Sequence, residues 1–320
     1  MTPLVSIAMC TYNGERFLKE QLESILNQTY KNIELIITDD CSKDTTVEII
    51  KEYQKSDSRI KLYQNENNLG FVKNFEKAIS LCKGEYITLS DQDDIWKLEK
   101  IETYVNEIGE NMLIYSDAEL IDQFSNKLNS NLIVPKYNLV SGKCNKVFLF
   151  DNIVSGNTIM FRRELTEKIL PIPPEFSFHD IWIVFIASTI GTITYTKEPM
   201  IFYRRYDEQV TRRVEKTYKS FYDKFKQKKE TKTKNAQSKI IDLESYSRLT
   251  FLDDEVRKII DVLLAHLKNY SSNYFNKELF NILRAQKDEI FAIRKVNRRM
   301  KHVRKASMKL KLYEILLFAY

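Results

Sequence analysis

Asp91, Asp93 and Asp94 fall within one short stretch, "ITLSDQDDIW" (87–96), at the point where an apolar run stops. Carboxylates this close repel one another, at a cost to stability unless a cation, a donor-rich loop or water offsets them. Two readings stay open on the residues alone. One is a solvated acidic turn, because Asp favours turns and helix starts. The other is an oxygen-donor site for a hard divalent cation. The histidines His179, His266 and His302 lie far apart, and Cys10, Cys41, Cys82 and Cys144 have no CxxC spacing. A His/Cys metal centre and a disulfide framework are both disfavoured, and thiols in a reducing compartment are expected.

The elements around the aspartates repeat a simple rhythm. "VSIAM" (5–9), "IELIIT" (33–38), "RIKLYQ" (59–64), "YITLS" (86–90) and "MLIYS" (112–116) read as short buried strands. Between them, Phe17, Leu18, Leu22, Ile25 and Leu26 share one helical face, as do Phe71, Phe75, Ala78, Ile79 and Cys82. This βαβαβαβαβ pattern predicts an α/β fold with a mainly parallel, Rossmann-like sheet flanked by helices. Ligands in such sheets bind beyond the carboxyl ends of the strands. "CTYNG", "DDCSKD" and "DQDD" all fall there, after strands one, two and four, which favours a site over three unrelated turns.

Residues 118–150 are polar and predict an extended loop or hairpin; 155–165 predict a strand turning into a helix; 176–188 predict a helix opening at Asp180; and 191–206 predict one or two strands. Beyond about residue 212, Lys-rich helical patterns continue to the end. The expected division is a nucleotide-binding and catalytic domain over 1–210 and a basic helical region over 211–320. Segment 224–235 reads as a linker.

The chain of 320 residues carries a net charge of +6, unevenly spread. Arg294 to Lys311 holds nine Lys/Arg and no acid, and Arg212 to Lys234 holds ten against three acids, so an anionic surface is the expected partner of the C-terminal region. No apolar run reaches the ~18–20 residues of a membrane span. The N-terminus lacks a basic n-region and reads as the first strand, not as a signal peptide.

In order along the chain, "VSIAMCTYNGERFLKEQLESILNQTY", "IELIITDDCSKDTT", "NNLGFVKNF", "GEYITLSDQDDIW", "SGNTIMFRREL", "HDIWI" and "GTITYTKEPMIFYRR" resemble the nucleotide-sugar-dependent glycosyltransferases of family 2, with a GT-A fold, and especially the bacterial rhamnosyltransferase-like branch. The resemblance covers about residues 4 to 206. It implies a metal-dependent, inverting transfer of one sugar to a surface-polysaccharide or lipid-linked glycan acceptor. It also implies magnesium or manganese held by Asp93 and Asp91, with Asp91 also touching the donor and Asp94 supporting the loop or sugar. By the same resemblance Asp40 binds the pyrimidine, Thr11 and Tyr12 line it, and Asp180 is the general base. For Asp180 the competing assignment is a helix cap, and for Asp40 a helix cap or an Asx-turn. His179, Trp96, Trp182 and Arg204 are possible substrate contacts, against core packing or a surface ion pair.

The donor implied is dTDP-rhamnose, or a UDP-hexose in the alternative, and the location is the inner face of the cell membrane, attached peripherally, with a homo-oligomer possible. One departure is plain: relatives often read "YR", a spacer and histidine, whereas this chain reads "YRRYDEQVTRR". The QxxRW motif of processive synthases is also missing. Outside this family, the alternatives are a nucleotidyltransferase, disfavoured by a single glycine in "CTYNGERF", a basic nucleic-acid-binding protein, disfavoured by the acidic cleft, and a sugar-binding module without turnover.

Overall fold

The computed structural model describes residues 2–207, 236–269, 276–290 and 292. The basic block at 212–234, the linker at 224–235 and the tail at 294–320 lie outside the described residues.

The chain opens with Val5–Thr11 (β1), Leu18–Leu26 (α1), Ile33–Asp39 (β2), Thr46–Ser56 (α2), Ile60–Gln64 (β3), Phe71–Leu81 (α3) and Tyr86–Ser90 (β4). Every residue of β2 and β4 is buried, and all but Cys10 in β1, which is why these strands read as near-continuous apolar runs with no alternation. The parallel pairs β2/β1 and β1/β4 put the carboxyl ends of three strands side by side. Helix α1 buries Leu18, Leu22 and Ile25, and α3 buries Phe75, Ala78 and Ile79.

Next come Ile95–Trp96 (β5), Lys100–Glu107 (α4), Leu113–Tyr115 (β6), Ala118–Ile121 (β7), Lys127–Asn131 (β8), Asn145–Phe148 (α5), Ile159–Arg162 (β9), Thr166–Ile169 (α6), His179–Ile190 (α7), Ile193–Tyr195 (β10) and Ile201–Arg204 (β11). The main sheet has the order β10-β6-β9-β4-β1-β2-β3. It is mainly parallel, as the sequence predicts, with one insertion: β9 runs antiparallel to both neighbours and separates β4 from β6. Its Ile159, Met160 and Phe161 are fully buried, so this central place is filled by a strand that arrives from far along the chain.

A second sheet has the order β5-β11-β7-β8; β7 and β8 fall in the hairpin expected within 118–150 and β11 in the strands expected within 191–206, whereas β5 and the pairing of these strands as a separate sheet have no counterpart in the sequence reading. Strand β5 starts directly after the aspartates and pairs antiparallel with β11, so Ile201 faces Trp96 and Phe202 faces Ile95. That pairing carries the residues after β11 back to the acidic loop.

The chain divides into two compact units. Of the described residues, one contains 2–145, 153–174 and 178–207, and the other 146–152, 175–177, 236–269, 276–290 and 292. In the second, helical residues 236–247 (α8) precede Asp254–Lys268 (α9), Lys277–Ala285 (α10) and Lys287–Ile290 (α11). Its core includes Leu243, Tyr246, Val256, Ile260, Leu263 and Leu279. Asp253 and Asn276 cap α9 and α10 by accepting from Val256 N and Leu279 N. Among the described residues no helix is long and apolar enough to cross a membrane.

Candidate active site

The loops leaving β1, β2 and β4 are sewn together by side chains. Gln92 makes a reciprocal pair across two loops: Tyr12 N donates to Gln92 Oε1 at 2.8 Å, and Gln92 Nε2 donates to Tyr12 O at 3.0 Å. Gly14 leaves room for that amide, since a Cβ there would stand 2.2 Å from Gln92 Oε1. The β1 and β2 loops join through Asn13 N to Ser42 Oγ (2.9 Å), Lys43 N to Asn13 Oδ1 (2.8 Å) and Gly14 N to Thr46 Oγ1 (2.8 Å). Thr11 is buried, and its hydroxyl donates to Asp39 Oδ1 at 2.9 Å. Tyr12, by contrast, is 47% exposed on the same edge.

Asp40 is not a helix cap. Its Oδ1 accepts from Asn65 Nδ2 and Leu69 N, each at 2.8 Å, and its Oδ2 accepts from Gly70 N at 2.9 Å. The N-cap of α2 is Thr45, with Asp44 beside it accepting from Thr46 N at 3.1 Å. The Asp40 carboxylate therefore folds the loop over residues 65–70 against the β2 edge.

The three carboxylates after β4 have different surroundings. Asp94 is buried and accepts from Arg204 N at 3.1 Å and from the Asn157 amide, so it braces the loop. Asp91 and Asp93 are half-buried. Asp93 Oδ2 accepts from the Tyr206 hydroxyl at 2.6 Å. Burial, and then the charges of Asp94, Asp93 and Asp180, push the Asp91 carboxyl well above the usual carboxylate range; burial and Asp93 raise Asp94. A buried lysine lies beside them. Lys100 is fully buried in α4, donates to Asn157 O at 2.8 Å and stands 3.3 Å from the centre of the Trp96 ring. Burial pulls its pKa well down while Asp94 and Asp91 pull it up.

Asp180 reaches this group from another part of the chain. It is the second residue of α7, after the N-cap Phe178, so the cap alternative does not apply. It is half-buried, and burial pushes its carboxyl up to about 6. His179 is buried and stacked on Phe75 with ring centroids 4.1 Å apart. Burial lowers its pKa to about 3, which keeps the imidazole neutral.

Three expected substrate contacts are corrected by burial. Trp96 is 2% exposed and belongs to the main core. Trp182 is 3% exposed, with its Nε1 donating to Ile169 O at 2.9 Å. Arg204 is fully buried: Nε donates to Asp93 O at 2.8 Å, Nη1 to Ser125 Oγ at 2.9 Å and Nη2 to Glu20 Oε2 at 2.7 Å. Its guanidinium holds the acidic loop from inside instead of reaching a phosphate. The residues that sequence reasoning missed are Gln92, Lys100, Asn157, Glu20 and Tyr206. Gln92 lies within the acidic motif itself, which was a signal; Lys100, in "KLEKIE", looks like an ordinary helix-surface lysine.

Among the described residues no three His, Cys, Asp or Glu side chains form a complete cage for a metal ion. Asp91 and Asp93 do supply hard oxygen donors in a site short of positive charge. That set fits a magnesium- or manganese-like ion, which commonly takes one or two carboxylates and completes its shell with substrate phosphates and water.

A nucleotide-binding type of sheet with an acidic edge thus defines the class, and comparison with known proteins gives the family. The family model described as "Glycosyl transferase family 2" matches residues 6–170. An uncharacterized glycosyltransferase of Haemophilus influenzae is 30% identical over 227 residues, covering 65% of this chain and 68% of that protein. The putative teichuronic acid biosynthesis glycosyltransferase TuaG of Bacillus subtilis is 31% identical over 169 residues, 52% of this chain and 65% of TuaG. Among solved structures, the complex of S. aureus TarS 1-349 with UDP-GlcNAc aligns with a TM-score of 0.56 at 18% identity, covering 90% of this chain and 81% of that one. The mannosyltransferase PcManGT from Pyrobaculum calidifontis, in complex with GDP-Man and Mn2+, aligns with a TM-score of 0.53 at 14% identity, covering 100% and 87%. These two likenesses establish the GT-A-type fold. The chain belongs to glycosyl transferase family 2, and is a glycosyltransferase by class.

The Gln92 pair gives a direct check. Gln92→Leu removes both hydrogen bonds between the β1 and β4 loops while keeping similar bulk. It should speed amide hydrogen exchange at Tyr12 and lower stability by about 1–3 kcal/mol, with an unchanged far-UV circular dichroism spectrum. Exchange at Tyr12 equal to that of the parent protein would contradict the clamp.

Proposed function

We propose that the chain transfers one sugar, with inversion, from a pyrimidine nucleotide sugar to a glycan or lipid-linked glycan acceptor in the assembly of a cell-surface polysaccharide. The observation that carries this reading is the placement of Asp180 beside the acidic loop: its Cβ stands 3.6 Å from where a Cβ at Gly156 would lie, and the next residue, Asn157, donates to Asp94. A base and a diphosphate-binding edge then lie within electrostatic reach of each other, as displacement at an anomeric carbon requires. The GT-A neighbour crystallised with UDP-GlcNAc and the relative named for teichuronic acid biosynthesis support the donor class and the acceptor class. A dTDP-linked rhamnose and a UDP-linked hexose both remain within the proposal.

In this mechanism Tyr12 and the β2 loop hold the nucleotide, and Asp91 and Asp93 hold a magnesium or manganese ion. That ion, when bound, neutralises charge on the leaving diphosphate. Asp180 takes the proton from the acceptor hydroxyl as its oxygen attacks the anomeric carbon from the face opposite the diphosphate. The anomeric C–O bond to the phosphate breaks as the new one forms. Thermal stabilisation against a panel of dTDP- and UDP-sugars with manganese tests the donor class, because a ligand that binds only the folded chain raises its melting temperature. No shift with any pyrimidine nucleotide sugar would sink the proposal.

Asp180 acts as a base only when ionised, so transfer should fall about tenfold per pH unit below pH 6. Asp180→Asn should cost on the order of 10² to 10⁴ in rate while donor binding is kept. The sign for stability is opposite. A carboxyl raised in the folded state binds its proton more tightly there than in the unfolded chain, so stability is lost as pH rises from the ordinary carboxylate range to about 6, and the full cost is present above that. The Asn variant should therefore melt at the same temperature as the parent or higher at pH 7.5. A large drop would mark Asp180 as structural.

The basic tail supports peripheral attachment to an anionic membrane, since each well-placed Lys or Arg contributes about 1 kcal/mol near such a surface. Deleting 294–320 should abolish sedimentation with anionic vesicles and leave transfer to a short soluble acceptor intact. Unchanged sedimentation would reject the tail as the anchor.

A further inference from the structure

The segment after β11 reads Arg205-Tyr206-Asp207 and lies beside the acidic loop. The Tyr206 hydroxyl donates to Asp93 Oδ2 at 2.6 Å, and its ring packs on Phe17 with centroids 4.9 Å apart. Phe17 is itself buried and lies under the Arg204 guanidinium, 4.5 Å from the ring centre. Arg204 Nε holds the Asp93 carbonyl at 2.8 Å, and Arg204 N holds Asp94 Oδ1 at 3.1 Å. Residues 204–206 thus grip the main chain of Asp93, its side chain and the next carboxylate at once.

We propose that Tyr206 is a positioning residue for the cation and diphosphate site: its phenol fixes the orientation of the Asp93 carboxylate before the ion arrives. The inference rests on the reading of Asp93 as a ligand. A carboxylate on a loop turns about two bonds, and a donor carried on a packed ring removes that freedom, as outer partners of ligating carboxylates commonly do. A phenol is protonated at neutral pH, so the hydroxyl remains a donor to the carboxylate.

Manganese binding to the full chain, followed by the paramagnetic resonance signal of free Mn2+ in the presence of UDP, tests this without reference to turnover. Tyr206→Phe keeps the ring on Phe17 and deletes only the hydroxyl. We expect its Mn2+ affinity to fall 10- to 100-fold, measured at a temperature where parent and variant are both folded by circular dichroism. Asp93→Asn, measured alongside, reports on the ligand reading itself. If Asp93→Asn loses Mn2+ and Tyr206→Phe binds it as tightly as the parent or more tightly, the positioning role is overturned while the ligand reading stands. If Asp93→Asn binds Mn2+ like the parent, or the parent binds none, both fall.

Discussion

The constraint on which the rest of the site depends is the crowding of negative charge at the end of β4. Asp91, Asp93, Asp94 and Asp180 share one edge, and burial with mutual repulsion raises the proton affinity of Asp91 and Asp94. Such an arrangement persists only if the surrounding structure offsets it. Lys100 does part of this from below, enclosed by Trp96 and Asn157; a desolvated cation over an indole contributes about 2 kcal/mol. Arg204 does another part, donating to the loop's own carbonyl and tying it to Glu20 and Ser125. Two buried basic side chains thus brace the inner side of the acidic loop.

The same economy appears in the β2 loop. Asp39 accepts from Thr11 Oγ1, Ser42 Oγ and Ser42 N, and Asp40 accepts from Asn65, Leu69 and Gly70. Each gathers several backbone or side-chain donors of the surrounding loops onto one carboxylate. In Asp40 the loop-building role is visible in the hydrogen bonds, and any contact with a pyrimidine would be made by a carboxylate already fixed from three sides. Rigid presentation of this kind is what a recognition group needs.

The family match ends at residue 170, whereas Asp180, Arg204 and Tyr206 lie beyond it. The matched region includes β1, β2 and β4 and the polar loops that leave them. The α7 start and the β5/β11 pairing bring Asp180 and the clamp on Asp93 to that edge.

The sequence by itself determined the parallel strands, because strands buried on both faces must be apolar throughout, and it determined that the polar clusters after strands one, two and four share an edge. It also marked Asp91, Asp93, Asp94 and Asp180 as the group to examine. Only the tertiary structure decided which charged and aromatic residues face inward. Trp96, Trp182 and Arg204 have the chemistry of ligand contacts, and their sequence neighbourhoods do not distinguish a core side chain from a cleft-lining one. Their burial follows from contacts with residues far away in the chain: Arg204 with Glu20, and Trp96 with the β11 strand that pairs beside it. The insertion of β9 between β4 and β6 was equally hidden, since strand order is set by which apolar faces meet across long loops and local pattern carries no record of it. Tyr206 belongs to the same class, because a tyrosine becomes a partner of Asp93 only when an antiparallel pairing, 105 residues apart at Ile201 and Trp96, returns it to the loop where the carboxylates stand.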